Sequence, residues 1–310
     1  MGLKRYQDFN SFLRRHFGFR VHKISIDAGF TCPNRDGTIS YGGCIYCDPE
    51  GSGTGAWRTG QAISDQITLG KRRLSKRYKA QKFLAYFQAF TNTYAPCEVL
   101  KRYYDEALND PDIVGLCIGT RPDCVDEAKL QLIQNYTSKY MVWIEYGLQS
   151  IHNNTLRSIN RGHTFEDFAS AVRLTQGRSI YICAHVILGL PGETREDMLE
   201  TAVALGDLGI DGVKIHSLYV VKDTPLATTH KSGAYQALTQ QAYVELVVDF
   251  LELLPPRVVI QRLTGDPNPA RLVGPDWSLK KQMTLELIEK RLEARDTYQG
   301  KLYATTLDKA

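Results

Sequence analysis

The chain alternates short apolar runs with longer stretches whose apolar residues recur at helical spacing. Residues 21–28 alternate apolar and polar positions, which predicts a first strand. Further strands are predicted over 83–90, 113–119, 142–148, 181–190 and 212–221, and helices over 61–79, 97–109, 124–138, 164–176 and 193–208. Apolar strands separated by helices are typical of a parallel sheet covered by helices. The pattern therefore predicts an α/β fold built from six strand–helix units, and an incomplete barrel and a doubly wound sheet would both show this alternation.

The two ends of the chain add further elements to this body. Residues 1–20 are basic and aromatic and predict a short helix that packs its aromatic side chains on the body. The C-terminal part contains a helix that ends at Leu254, a strand at 258–263, a loop rich in turn residues and a charged amphipathic helix over 279–295. We therefore predict an α/β body over residues 1–225 and an α+β extension over residues 226–310.

Composition narrows the class of protein. The 310 residues carry a net charge of +4, which permits nucleic-acid binding without arguing strongly for it. Seven cysteines are too few for a disulfide scaffold in a chain of this length. The first residues lack the apolar segment of a signal peptide, and no apolar run reaches the roughly 18 residues of a membrane span. We therefore expect a cytoplasmic, reducing location for the protein.

Three cysteines form the strongest chemical signal. Cys32, Cys44 and Cys47 follow the first predicted strand in a C-x11-C-x2-C pattern, with Gly42 and Gly43 beside the last pair. A structural zinc site wants four protein ligands, and a [4Fe–4S] cluster also normally uses four cysteines. The next cysteine along the chain is Cys97. Three thiols would leave one iron of a cluster open for chemistry, whereas a zinc knuckle would need a distant histidine such as His22.

This segment resembles the radical S-adenosylmethionine (radical SAM) superfamily. In that family three cysteines hold a [4Fe–4S] cluster, and the amino and carboxylate groups of SAM chelate the fourth iron. The resemblance assigns the cluster to Cys32, Cys44 and Cys47, and it places Tyr46 near the adenine. The long first gap is a feature of the elongator-like branch, whose members modify tRNA wobble uridines. The fold implied is a partial (β/α)6 TIM-like barrel with a C-terminal α+β extension.

The same resemblance implies further contacts with SAM. The segments around Gln149 and Arg161 are similar to ones that contact SAM in the coproporphyrinogen and elongator branches, where the arginine pairs with the SAM carboxylate. Strand five is expected to lay Ile187 and Gly189 against the adenine. Gln88 ends strand two, where the family binds the methionine amino group, but the usual Gly-Gly-Glu motif is absent. An ordinary polar turn is the alternative there.

Substrate residues are harder to assign from the sequence. His185 lies in strand five and is either a catalytic residue or a buried histidine satisfied by hydrogen bonds. Lys214 and His216 hold alternating positions in strand six, and either could contact the substrate. Arg121 is either an anion-binding residue or a surface cation. The four cysteines outside the motif are predicted to be inert buried thiols: Cys97, Cys117, Cys124 and Cys183.

The resemblance implies an enzyme that accepts an electron from a reducing partner such as flavodoxin or ferredoxin. SAM is then cleaved to a 5′-deoxyadenosyl radical, which abstracts hydrogen from the substrate. Kinship favours a tRNA wobble uridine side chain as that substrate. Two alternatives stay open: a radical SAM enzyme acting on a protein or small molecule, and a non-enzymatic iron–sulfur or zinc protein that binds RNA.

Two basic groups are candidates for tRNA contacts beside the barrel mouth. One lies at the end of the predicted helix 61–79, and the other lies on the last helix: Lys71, Arg72, Arg73, Lys76, Arg77 and Lys79, and then Lys280, Lys281, Lys290 and Arg291. Such cations would neutralise RNA phosphates. The alternative is that both groups are ordinary solvated helix faces.

Overall fold

A computed structural model of the chain describes residues 4–49 and 53–303. Its main feature is a sheet of seven parallel strands in the order β1-β2-β3-β4-β5-β6-β8. The strands are β1 Val21–Ile26, β2 Lys82–Phe87, β3 Ile113–Thr120, β4 Met141–Gln149, β5 Tyr181–Leu188, β6 Gly212–Ser217 and β8 Val259–Arg262. A second, antiparallel pair joins β7 Val220–Val221 to β9 Leu272–Gly274. The α/β fold with a partial TIM-like barrel is confirmed.

Ten α-helices lie in the described residues. They are α1 Phe9–Phe17, α2 Ile63–Tyr78, α3 Cys97–Leu108, α4 Glu127–Gln134, α5 Asn153–Ser158, α6 Phe165–Thr175, α7 Arg195–Asp207, α8 Pro225–Lys231, α9 Gln240–Leu253 and α10 Lys281–Ala294. Side-chain caps fix several starts: Thr164 and Thr194 each form a reciprocal capping box with an aspartate three residues later. Such caps satisfy backbone N–H groups that the first helical turn leaves without partners.

The side chains inside the sheet form successive layers. At the amino ends of the strands the layer is apolar and includes Leu84, Cys117, Trp143 and Cys183, all fully buried. Helix α1 covers this end, with the Phe12 ring 5.8 Å from the indole of Trp143. Aromatic side chains therefore close one end of the barrel, and the opening lies at the carboxyl ends of the strands.

The structure corrects three details of the sequence-based prediction. The strand predicted over 212–221 is two strands, because the chain turns after Ser217 and β7 pairs with β9 instead of the main sheet. The predicted strand over 258–263 exists as β8, and it joins the main sheet as a seventh strand beside β6. Helices α5 and α8 and strand β9 were not predicted, since all three are too short to show a clear period.

Helix α2 points its basic end away from the barrel mouth. The helix ends at Tyr78, whose carbonyl accepts a hydrogen bond from Arg20, just before β1 begins. Lys71 is paired with Asp110 and Asp112, which lie just before β3. The basic group of residues 71–79 thus surrounds the amino ends of the strands. The prediction that it flanks the mouth is wrong, because a helix between parallel strands runs back to the opposite edge of the sheet.

Helix α10 presents its cations along its length. Lys281 pairs with Asp266 beyond the carboxyl end of β8, whereas Arg291 pairs with Glu245 on α9. Only the first residues of this helix therefore lie on the mouth side. None of the helices in the described segments is both long enough and apolar enough to cross a membrane.

Candidate functional site

A cavity of about 630 Å³ opens at the carboxyl ends of the strands. Its lining combines the three motif cysteines with residues from β2 to β6, β8 and the loops that follow them. Ligand sites of parallel α/β folds lie at this edge of the sheet, and their volumes fall in the range of several hundred Å³. The cavity is thus the candidate active site.

The loop between Cys32 and Cys47 is held by its own backbone and by the turn after α5. Gly42 and Gly43 have φ values of 80° and 84°, which glycine adopts without steric cost. The Gly43 N–H donates to the Asn34 carbonyl at 2.8 Å, and the Asn160 side chain donates to the Gly43 carbonyl at 2.8 Å. These bonds fold the long first gap of the motif back on itself, so that the three thiols face one cavity.

Nitrogen donors surround two of the thiols. The Arg35 guanidinium donates to Sγ of Cys47 at 3.1 Å. Sγ of Cys44 receives Nη1 of Arg161 at 3.6 Å and the amide of Asn34 at 3.7 Å. Hydrogen bonds of this kind stabilise thiolates and tune the potential of an iron–sulfur cluster. These donors therefore favour thiolate ligands at Cys44 and Cys47.

The spacing of the thiols argues against zinc. A tetrahedral Zn²⁺ with Zn–S distances of about 2.3 Å would hold its sulfurs about 3.8 Å apart. Within residues 4–49 and 53–303, the three Sγ atoms do not form a set lying within 4.8 Å of one another. A cluster binds each thiolate to a different iron and needs no such closeness. His22 lies near the amino end of β1 and stacks on Tyr78, so it is on the wrong side of the sheet to add a fourth ligand.

Arg161 and Gln149 meet at the end of β4. Arg161 is 7% exposed, and its Nε donates to the carbonyl of Gly147 at 3.2 Å. A Cβ on Gly147 would lie 2.6 Å from Nη2 of Arg161 and 2.9 Å from Nε2 of Gln149. Only glycine leaves space for both side chains there. Gln149 has a φ of 81° beside an irregularity in the β4–β5 pairing, a strained backbone of the kind that clusters at functional sites.

The remaining cofactor candidates divide into two groups. Tyr46, Gln88 and Ile187 line the cavity together with Gln149 and Arg161. Gly189 does not line it: its N–H contacts Sδ of Met198 at 3.0 Å, and its carbonyl accepts from the Tyr235 hydroxyl at 2.9 Å. The fold thus brings the cofactor candidates proposed from the sequence together in one cavity, except Gly189, which does not line it.

Arg121 is a buried side chain that holds the backbone of Arg161 in place. It is 2% exposed, so the alternative of a surface cation is wrong. Its guanidinium pairs with Asp123 at 2.7 Å and also donates to the backbone carbonyl of Arg161 at 2.7 Å. Arg121 therefore fixes the segment that carries Arg161, although it also lines the cavity.

A buried ionic network forms the floor of the cavity. Glu145 on β4 is fully buried and accepts hydrogen bonds from Lys23 on β1, Lys214 on β6 and His185 on β5. The Lys214 ammonium also donates to the Tyr86 hydroxyl at 2.9 Å. The Glu145 carboxylate thus connects β4 to β1 near one edge of the sheet and to β6 near the other edge. Inward-facing positions place these five side chains in one polar layer above the apolar one.

Burial and charge set the protonation states in this layer. Burial alone would raise the pKa of Glu145, but Lys214 and Lys23 hold that pKa well below its ordinary value. Burial, followed by the charge of Lys214, lowers the pKa of His185 to about 4. Burial lowers the pKa of Lys214 to about 8 despite the neighbouring carboxylate. At neutral pH the floor therefore holds an ionised Glu145, a neutral His185 and a lysine close to its titration range.

Four cysteines lie outside the motif. Cys117 and Cys183 belong to the apolar layer, where burial raises the pKa of Cys117 to about 12. Burial, with Asp123 next, raises the pKa of Cys124 to about 12 as well. Cys97 begins α3 and is partly exposed, so the prediction that it is buried is wrong. A thiol with a raised pKa is a poor nucleophile at neutral pH.

The sequence reasoning missed Glu145, Lys23, Tyr86 and Arg262 as site residues. All four lie in strands, where a charged or phenolic side chain at an inward position has to find a partner. The signal was present: Glu145 interrupts an otherwise apolar run in β4. This charged residue alone did not identify the network, because its partners lie on strands far away in the sequence. Which side chains meet depends on the order and register of the strands.

Family comparisons agree with this geometry. The family described as "Radical SAM superfamily" matches residues 32–205, more than half of the chain. The chain belongs to the radical SAM superfamily. The family described as "Radical_SAM C-terminal domain" matches residues 210–294. Protein YtqA of Bacillus subtilis (strain 168) is 42% identical over 300 residues, covering 97% of this chain and 93% of YtqA.

Relatives in the elongator branch are more distant. The tRNA uridine(34) acetyltransferase of Methanocaldococcus jannaschii is 29% identical over 184 residues, which are 58% of this chain and 33% of that protein. The structure of Methanocaldococcus infernus Elp3 with an N-terminal deletion matches with a TM-score of 0.69 at 19% identity. That match covers 90% of this chain and 64% of the Elp3 chain, and it shows a shared fold.

Membership in the radical SAM superfamily makes this chain an enzyme with a [4Fe–4S] cluster and SAM as cofactors. It also requires a reducing electron donor.

Proposed function

We propose that this radical SAM enzyme modifies the side chain of a wobble uridine in tRNA. The observation that carries the proposal is the single cavity that joins the three thiols to a polar floor. A nucleotide entering from the mouth would meet the cofactors first and the floor last. The more distant relatives include a tRNA uridine(34) acetyltransferase, which supports tRNA as the substrate. Substrate identity rests on kinship and on the cavity together.

Cys32, Cys44 and Cys47 would hold the cluster. Arg35, Asn34 and Arg161 donate N–H groups toward the sulfurs and thereby favour their thiolate forms. When bound, the cluster and SAM supply the organic radical that removes a hydrogen atom from the substrate. The chain itself positions the groups and excludes water from the barrel interior.

Arg161 and Gln149 would bind the methionine part of SAM, while Tyr46 and Ile187 would line the adenine. Arg161 is fixed by Gly147, so its outer nitrogens are oriented before SAM arrives. Preorganised donors lose less entropy when the ligand binds. Gln88 is the weakest member of this set, because its Oε1 already accepts from Ser25 at 3.1 Å.

His185, Lys214 and His216 would contact or orient the uridine. Lys214 and His185 share the carboxylate of Glu145, so neither can move without disturbing the other. His216 lies on the same strand as Lys214 and faces the cavity, and burial with the charge of Arg262 keeps its pKa well below the ordinary value. A neutral imidazole can donate to one uracil carbonyl and accept from one N–H.

Comparison of modified nucleosides tests this function. Bulk tRNA from cells with and without the gene is digested and analysed by mass spectrometry. One wobble nucleoside should disappear in the deletion strain, and a precursor that differs only in its uridine side chain should accumulate. The gene for the wild-type protein should restore the nucleoside, and the Cys47→Ala variant should not. Identical nucleoside profiles would reject tRNA and favour a protein or small-molecule substrate.

A further inference from the structure

Arg262 differs from the other cations of the cavity because it has no ion-pair or hydrogen-bond partner among the residues that the structure describes. It ends β8 and lines the main cavity, and it also lines a second cavity of about 470 Å³ bounded by α1, β1 and β8. Across the described segments, no carboxylate lies within 4.0 Å of its guanidinium, and the guanidinium donates no hydrogen bond. Its N–H groups are therefore available to a ligand that enters the cavity.

Neighbouring arginines show what a satisfied site looks like in this fold. Arg121 pairs with Asp123, and Arg271 pairs with Asp48 at 2.9 Å. Both guanidiniums line the same cavity as Arg262. Arginines that line this cavity can thus be paired with carboxylates, and Arg262 departs from that arrangement.

The surroundings of Arg262 carry excess positive charge. The register pairs Arg262 directly with Lys214 across the β6–β8 ladder. Lys214 and Lys23 already share Glu145, which is fully buried. The carboxylate of Glu145 is therefore already paired with two lysines and forms no ion pair with Arg262. An anion bound here would be attracted by Arg262, Lys214 and Lys23, and the attraction is stronger in a medium of low dielectric constant than in water.

Ser217 supplies an independent sign of a missing ligand. It is 3% exposed, lines the main cavity, and its hydroxyl has no hydrogen-bond partner among the described residues. Buried hydroxyls in native proteins are almost always paired. Ser217 ends β6, three residues beyond the Lys214 that pairs with Arg262 on the neighbouring strand β8, so both groups lie on the same side of the cavity.

We propose that Arg262 and Ser217 form a subsite for an anionic group of the substrate, a carboxylate or a phosphate. The inference rests on the proposed function only in placing the substrate within this cavity. A guanidinium binds two oxygens of such a group in one plane, and the serine hydroxyl donates to a third position. The subsite would fix the end of the substrate away from the cluster, so Arg262 is a positioning residue.

Chemical labelling tests the subsite without any RNA. Phenylglyoxal, which reacts with guanidinium groups, is added to the reconstituted SAM-loaded enzyme, and adducts at Arg262 are measured by peptide mass spectrometry. Inorganic phosphate or acetate, used as separate probes, should slow labelling of Arg262 at least tenfold. Exposed Arg73 on α2 is the matched control and should label at a constant rate. Protection by phosphate alone identifies a phosphate site, and protection by acetate identifies a carboxylate site. Protection by neither probe would overturn the proposal.

Binding measurements then separate this inference from the proposed function. Synthetic anticodon stem-loops carry a wobble uridine side chain that ends in a carboxylate or in the matching amide. A second pair has one backbone phosphate or a neutral methylphosphonate. The wild-type enzyme should prefer the charged member of one pair at least tenfold, Arg262→Gln should lose that preference, and Arg262→Lys should keep part of it. An unchanged preference in Arg262→Gln with intact cluster absorption contradicts the subsite. If no stem-loop binds the wild type, the proposed function fails and the labelling result alone decides the subsite.

Discussion

Nη1 of Arg161 lies 3.6 Å from Sγ of Cys44, although the two residues are 117 positions apart in the chain. The same guanidinium donates to the carbonyl of Gly147 at the end of β4. The contact joins the cluster loop to the part of the barrel assigned to SAM. It places a fixed positive charge where a thiolate and a carboxylate would both need one.

Replacing Arg161 with lysine should therefore weaken SAM binding. An ammonium keeps the charge but lacks the planar fork, so we expect a loss of about 1–3 kcal/mol, the scale of a hydrogen bond to a charged group. Equilibrium dialysis of the anaerobically reconstituted variant measures the affinity. Arg173→Lys, at an exposed position on α6, is the control. An unchanged SAM affinity with a full complement of cluster iron would remove Arg161 from the site.

The Glu145 network makes a prediction about stability. Glu145→Gln leaves buried Lys214 and partly buried Lys23 without their shared carboxylate, and breaking a buried pair in this way costs about 3–5 kcal/mol. Adding Lys214→Met should recover part of that loss, because it removes one of the two uncompensated charges. Urea unfolding of the apo-protein compares the single and double variants. Equal stabilities for wild type and Glu145→Gln would show that the carboxylate does not hold the strands together.

The buried histidines predict loss of stability in acid. The pKa of His185 is lowered to about 4, from an ordinary value near 6.5, by burial and then by Lys214. Between these two values the unfolded chain binds a proton that the native state refuses. Stability should thus fall with decreasing pH, on the order of 1 kcal/mol per pH unit for one such group. His185→Gln should have a shallower dependence between pH 6.5 and 4.5 in urea titrations. A slope equal to that of wild type would mean that His185 titrates normally.

The position of α2 predicts where tRNA does not bind. Changing Lys71, Arg72 and Arg73 together to glutamine should leave the affinity for tRNA within about twofold, because these residues surround the closed end of the barrel. Changing Lys280 and Lys281 should weaken binding and reduce the slope of log affinity against log salt by about 0.7 to 0.9 for each phosphate that the variant no longer neutralises. Filter binding at several salt concentrations measures both. A larger effect from the α2 variant would contradict this orientation of the tRNA.

The sequence predicted the elements of the barrel because its buried strands are long apolar runs and its helices have a regular period. It also identified the three thiols, whose spacing is local. It could not predict the meeting of Lys23, Glu145 and Lys214, since that depends on strand order and register. The sequence could not show either that Arg262 lacks a partner among the described residues, because pairing is a property of the assembled cavity.

The position of β8 has the same explanation. Its apolar residues predicted a strand, but its place beside β6 follows from the packing of α9, which contacts α7 and α10. Helix α2 gives the reverse lesson: its basic composition suggested an RNA contact, and the direction of the helix places that group at the far end. Composition describes a surface, whereas topology decides where the surface lies.

Transfer of deuterium from tRNA to SAM tests the central claim most directly. Fully deuterated tRNA is prepared from a strain that lacks the gene and is incubated anaerobically with reconstituted enzyme, SAM and dithionite. The 5′-deoxyadenosine released is then analysed by mass spectrometry, with the Cys32, Cys44 and Cys47 triple-alanine variant as the inactive control. The account predicts 5′-deoxyadenosine that carries one deuterium, formed together with the modified wobble nucleoside. Release of 5′-deoxyadenosine without deuterium, in the presence of that tRNA, would contradict it.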